Sequence, residues 1–230
     1  MCDVSELFYK VNGKEVEGYL GKPEECEILF VLKEPNANKD NVTDFWFKKV
    51  LEKDENEWDK SEAQYFHVLG TMAYRLLGGK AENATVQIIK NALKRCAYIN
   101  LHPECGSGSE TKEFRKILSE VEWQMKVNNR KRHRKVEEEI INRAQNRINL
   151  IKGFTCKYIV TAQNIFCAIA GAKTEQGKDH HEGVILGEKV FRIANIERNK
   201  TILSFFPYNN RNYCNADFSK VFEYLEETSK

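Results

Sequence analysis

Three short segments combine proline with side chains able to move protons or pair with amides. They are Lys33-Glu34-Pro35-Asn36, Asn100-Leu101-His102-Pro103 and Phe206-Pro207-Tyr208-Asn209-Asn210-Arg211. The chain has only four prolines, and three of them fall here. Proline cannot continue a central strand ladder, so each segment marks a sharp exit from a sheet. A carboxylate such as Glu34 can stabilise developing positive charge or take a proton from water. The Asn100 amide offers a donor and an acceptor in one plane, which suits reading a ring edge that presents a carbonyl beside an NH. Asn209, Asn210 and Arg211 offer donors to negative charge. Each has a simpler alternative: Glu34 as a capping or surface group, Asn100 as a strand-exit backbone bonder, and the asparagine cluster as a turn. His102 stands one residue from the same rim.

The elements that must position these residues are legible as periodicities. Ile28-Leu29-Phe30-Val31-Leu32 is a continuous apolar run of the kind buried on both faces of a parallel sheet. Cys96 to Leu101, Tyr158 to Thr161 and Thr201 to Phe205 predict three further core strands. Between the first two, Phe45, Trp46 and Val50 predict one helix. Tyr65, Val68, Leu69, Met72 and Leu76 predict a second, stopped by Gly78-Gly79, and Val86, Ile89, Ala92 and Leu93 a third. Two more helices are expected over 111–126 and 135–152, a short one over 164–170, and a terminal one from about Asp217 to Glu227. Asn12-Gly13 predicts a hairpin within 7–19, and Gly187-Glu188 a second between 184–186 and 190–196. Strands joined by helical crossovers give a parallel sheet covered on both faces. Ligands bind such sheets beyond the carboxyl strand ends.

The ordered set of exits resembles the uracil-DNA glycosylase superfamily. That family carries an acidic residue beside Pro after its first core strand, matched here by Glu34-Pro35. An Asn that pairs with the flipped base ends its second strand, matched by Asn100. A His-Pro-Ser-like loop follows its last strand, matched by Phe206-Pro207-Tyr208-Asn209, and Tyr158 to Gln163 resembles its third strand and polar exit. The resemblance runs from about Ile28 to Asn210. It implies a three-layer α/β/α sandwich around a central, mainly parallel four-stranded sheet, here with extra β-hairpins. It also implies a DNA glycosylase that hydrolyses the N-glycosidic bond of uracil or a modified pyrimidine, in repair or anti-phage defence, without metal or organic cofactor. In that reading Glu34, Asn209 and Asn210 are catalytic, while Asn36, Phe45, Trp46, Asn100 and His102 surround the base. Lys33, Pro207, Tyr208, Arg211, Arg130 and Arg132 contact DNA. The sequence departs from the family at Glu34, one methylene longer than Asp, at Asn36 in place of a methyl-excluding aromatic residue, and at Phe206 in place of the motif histidine. A non-catalytic nucleic-acid binder on the same fold and a nucleoside or nucleotide hydrolase are the alternatives.

Composition frames these readings. The 230 residues are 41% hydrophobic and 30% charged, with formal net charge +2, as expected of one globular, monomeric, cytoplasmic domain over 1–230. No apolar run approaches the roughly 18 residues of a membrane span, and the acidic start lacks the form of a secretion signal. Arg130-Lys131-Arg132-His133-Arg134-Lys135 could meet phosphates, or could be a solvated loop before a helix led by Glu137-Glu138-Glu139. Seven cysteines without a Cys-x-x-Cys pair argue against a disulfide framework or simple zinc site, and Cys96, Cys156 and Cys167 read as core residues. His180-His181 reads as part of a polar loop rather than a metal site, and Trp58 and Trp123 as packing residues.

Overall fold

A computed structural model describes residues 8, 10–11, 14–32, 45–100, 138–162, 169, 172–175, 178–181, 184–186, 191–196, 200–205, 222–223, 225 and 227. Their centre is a mixed seven-stranded sheet. Its strands are β3 (Gly18–Tyr19), β4 (Ile28–Leu32), β5 (Cys96–Asn100), β6 (Tyr158–Ala162), β9 (Val184–Leu186), β10 (Phe191–Ile196) and β11 (Lys200–Phe205). Across the sheet the order is β3-β5-β4-β6-β11-β10-β9. The middle four strands, β5, β4, β6 and β11, are mutually parallel. The outer strands β3, β9 and β10 pair antiparallel. Four parallel strands are thus found where expected, inside a wider sheet. All five residues of β4 and of β5 are buried, because a central parallel strand has protein on both faces.

Between β4 and β5 lie α1 (Trp46–Glu52), α2 (Lys60–Leu76) and α3 (Val86–Leu93). Alternate residues Ile28, Phe30, Leu32, Tyr98, Val160 and Leu203 project to one face. There they join one apolar cluster with Phe47, Val50, Phe66, Leu69, Met72, Ile89 and Leu93 from these helices and Phe222 near the carboxyl terminus. The opposite face carries Leu29, Val31, Ile99 and Ile159, buried but outside that cluster, and α4 (Glu138–Gly153) brings Ile148 and Ile151, likewise buried outside it.

Local chemistry sets the helix ends. Asp59 and Glu62 cap α2 reciprocally, each side chain accepting from the other's backbone N–H, at 2.8 and 3.0 Å. Gly78, at φ +90°, ends the same helix in the left-handed region. The Thr85 hydroxyl accepts from Ile88 N–H at the start of α3. Gly70 lets α3 approach α2, since a Cβ there would overlap Cγ2 of Ile89.

Two sequence expectations change in detail. The hairpin at Asn12-Gly13 is the short pair β1 (Lys10–Val11) and β2 (Lys14–Glu15), while Gly18–Tyr19 leaves it to line β5. The segment around His180-His181 is not a polar loop. It forms β8 (Lys178–His181), paired antiparallel with β7 (Ala172–Glu175). The hairpin expected across Gly187-Glu188 is β9–β10. The helices expected over 111–126 and 164–170 fall outside the described residues apart from Ile169, as do Trp123 and Cys167. Among the described residues, no helix is long and apolar enough to cross a membrane.

Candidate functional site

The described residues of the parallel strands reach nearly the same level. Leu32 lies beside Asn100, Thr161 lies between Val31 and Ser204, and Ala162 lies beside Phe205. Among the described strand residues at this rim, Asn100 and Thr161 are buried and polar. Buried polar groups must be hydrogen-bonded, and the way Asn100 meets that demand defines the site.

Strand β3 covers β5 only at Ala97 and Tyr98. In a strand, the N–H and C=O of one residue point to the same side, so among the described residues Asn100 has no partner strand on its outer side. Two side chains take that place. The Asn100 N–H donates to Glu17 Oε1 at 2.6 Å, and Arg147 Nε of α4 donates to the Asn100 carbonyl at 2.7 Å. The Arg147 guanidinium then pairs with the other Glu17 oxygen, closing the ring of contacts. The pair is deeply placed, with the Glu17 side chain 0% and that of Arg147 11% exposed.

The Asn100 side chain is held separately. Tyr98, two residues earlier and on the same face, donates its hydroxyl to Asn100 Oδ1 at 3.3 Å. The Tyr98 ring packs on Phe47, with centroids 4.0 Å apart, and on Phe45 at 6.0 Å. Phe45 is fixed in turn by its N–H to the Glu15 carbonyl at 2.8 Å. Asn100, itself 1% exposed, thus has its main chain and its amide oxygen tied down. Among the described residues no acceptor takes its Nδ2 hydrogens. Such an amide presents a fixed donor, with acceptor capacity left on Oδ1.

Of the residues singled out in the sequence, Asn100 lies at this rim and Phe45 in the aromatic layer touching Tyr98. Trp46 begins α1, with its side chain outside the described residues. Lys33, Glu34, Asn36, His102, Arg130, Arg132, Pro207, Tyr208, Asn209, Asn210 and Arg211 all lie outside them too. Sequence reasoning missed Glu17 and Arg147. Arg147 carried a faint signal, since it stands four residues before buried Ile151 and so interrupts the apolar stripe of α4.

The amino ends of the strands carry a different chemistry. Cys26 precedes β4 and Cys156 precedes β6. Burial pushes both thiols up to about 12, and it raises buried Cys96 as well. Thiols held protonated are poor nucleophiles and poor metal ligands. Among the described residues, no group of three or more His, Cys, Asp or Glu is placed to hold a metal ion.

No protein-family model matches this chain, and no curated protein matches it.

Proposed function

We propose that the chain is a divergent relative of the uracil-DNA glycosylases, releasing uracil or a modified pyrimidine from DNA. The single observation that carries this reading is Asn100: a buried amide, oriented by Tyr98, at the carboxyl end of a central parallel strand. A flipped base is read by hydrogen bonds to its pairing edge inside a snug pocket, and this amide is suited to that task. The α/β architecture with four adjacent parallel strands agrees with the implied three-layer sandwich.

In this scheme Glu34, two residues beyond Leu32, stabilises positive charge on the sugar and positions the attacking water. Asn209, Asn210 and Arg211 stabilise the departing base anion. Phe45 or Trp46 stacks on the base, and Asn36 leaves room for a larger one. Lys33, Arg130, Arg132, Pro207 and Tyr208 engage the phosphate backbone. The protein acts as a cytoplasmic monomer, and the scheme calls on no metal or cofactor.

The test is base release from labelled oligonucleotides carrying uracil, hypoxanthine, hydroxymethylcytosine or glucosylated hydroxymethylcytosine, with alkali revealing abasic sites. Release by the wild type, strongly slowed in Glu34→Gln and Asn100→Ala, supports the assignment and names the base. Binding to DNA without release would favour a non-catalytic binder, as Phe206 in place of the motif histidine suggests. No affinity for DNA, with hydrolysis of free nucleosides or nucleotides, would favour a small-substrate hydrolase.

A further inference from the structure

We infer that Glu17 and Arg147 are positioning residues, which hold Asn100 in place so that its amide can read the substrate edge. The inference rests on the glycosylase reading and deepens it by naming what aims the reading group.

Asn100 is the last described residue of β5, and among the described residues β3 pairs with β5 only as far as Tyr98. A strand end with unpaired backbone groups frays, and fraying would swing the amide away from its target. Recognition groups must be held within roughly 0.5 Å of their working geometry. The three bonds that prevent fraying come from three separate parts of the chain, with sequence separations of 83, 47 and 130 residues. Such an arrangement does not arise from local secondary structure. A buried ion pair also adds little stability over an apolar pair of similar size. Its distinctive property is direction: one carboxylate oxygen receives the Asn100 N–H, the guanidinium Nε addresses the Asn100 carbonyl, and the two side chains also hold each other. With Tyr98 holding Oδ1, the free rotation left to Asn100 is small.

The experiment measures single-turnover base release by the wild type, Arg147→Lys, Glu17→Gln, Asn100→Ala and the double variant Asn100→Ala/Arg147→Lys. Thermal midpoints and affinity for a duplex with an abasic analogue are read in parallel. Arg147→Lys and Glu17→Gln are expected to lower release by about 100-fold while abasic-duplex affinity stays unchanged. In the Asn100→Ala background, Arg147→Lys is expected to cost nothing further, because its effect travels through Asn100. An equal loss in both backgrounds would overturn the inference, since a general structural defect does not depend on Asn100. So would wild-type release rates in both single variants. Should Arg147→Lys fail to fold, the isosteric Glu17→Gln carries the same comparison with its own Asn100→Ala double. If the wild type releases no base from any oligonucleotide, the glycosylase reading falls and this inference with it. If Asn100→Ala slows release but the positioning variants keep the wild-type rate, only this inference falls.

Discussion

Arg147 Nε stands 2.7 Å from the Asn100 carbonyl, so a cation on helix α4 completes the hydrogen bonding of the last residue of strand β5. The same guanidinium holds Glu17, whose carboxylate receives the Asn100 N–H. Removing either charge takes from the other a buried ionic partner.

Arg147→Met is therefore expected to destabilise the fold by about 3–5 kcal/mol, the usual cost of orphaning one partner of a buried pair. Glu17→Gln/Arg147→Met should recover part of that loss, because the uncompensated charge is gone. Urea unfolding of the wild type and the two variants measures both effects. A loss below about 1 kcal/mol for Arg147→Met would place the pair in the solvent-exposed class instead.

Gly70 offers a test of close packing. Alanine is the better helix former by about 1 kcal/mol, yet a Cβ here would overlap Ile89 Cγ2. Gly70→Ala is expected to lower stability by about 1–3 kcal/mol through overpacking. In an Ile89→Ala background the loss should shrink, because the obstructing methyl is absent while the residue-89 Cβ remains at 3.0 Å. Thermal unfolding of the two pairs decides the matter, and equal effects in both backgrounds would sink the idea.

Trp58 is buried against Phe66, and its indole N–H donates to the Val50 carbonyl at 3.0 Å. That carbonyl also accepts from Lys53 N–H at 3.2 Å. Trp58→Phe therefore leaves no orphaned acceptor and should cost only about 1 kcal/mol for the lost bond, plus a little buried area. Trp58→Ala should cost about 3–5 kcal/mol. Chemical denaturation of both variants separates the hydrogen bond from the ring.

The pH response at the amino ends of the strands has a definite sign. The Cys26 and Cys156 thiols are pushed from 9.0 to about 12, chiefly by burial. Above about pH 9 the unfolded chain releases these protons while the folded chain keeps them. Stability from these groups is therefore complete below that point and falls as pH rises towards about 12. Cys26→Ser/Cys156→Ser should show a shallower decline of its thermal midpoint across this window than the wild type. Thiol-specific labelling at neutral pH should be slow at both positions in the folded protein.

Much of the framework could be read from the chain because the signals are local. Ile28 to Leu32 is apolar throughout, which only a strand buried on both faces requires, and it lies in the sheet interior. Gly78 ends α2 because its left-handed backbone suits glycine. The β7–β8 pair was not legible, since Lys178-Asp179-His180-His181 has neither an apolar alternation nor a strong turn pair beside it. At the rim, Asn100 stood out by its place at a strand exit. Its supports did not, because Glu17 and Arg147 meet across 130 positions and no periodicity links them. Contacts of that kind are set by the assembled sheet, not by neighbours along the chain.

The brevity of β3 has a kinetic consequence. The Asn100 end of β5 would offer an open backbone edge to a stray strand, and such edges invite association between chains. Glu17 and Arg147 plug that edge with opposite charges, which an incoming strand would have to displace. Arg147 arrives only when α4 docks, and it lies 47 residues after Asn100. Until α4 is in place, that end of β5 lacks the Arg147 half of its cover.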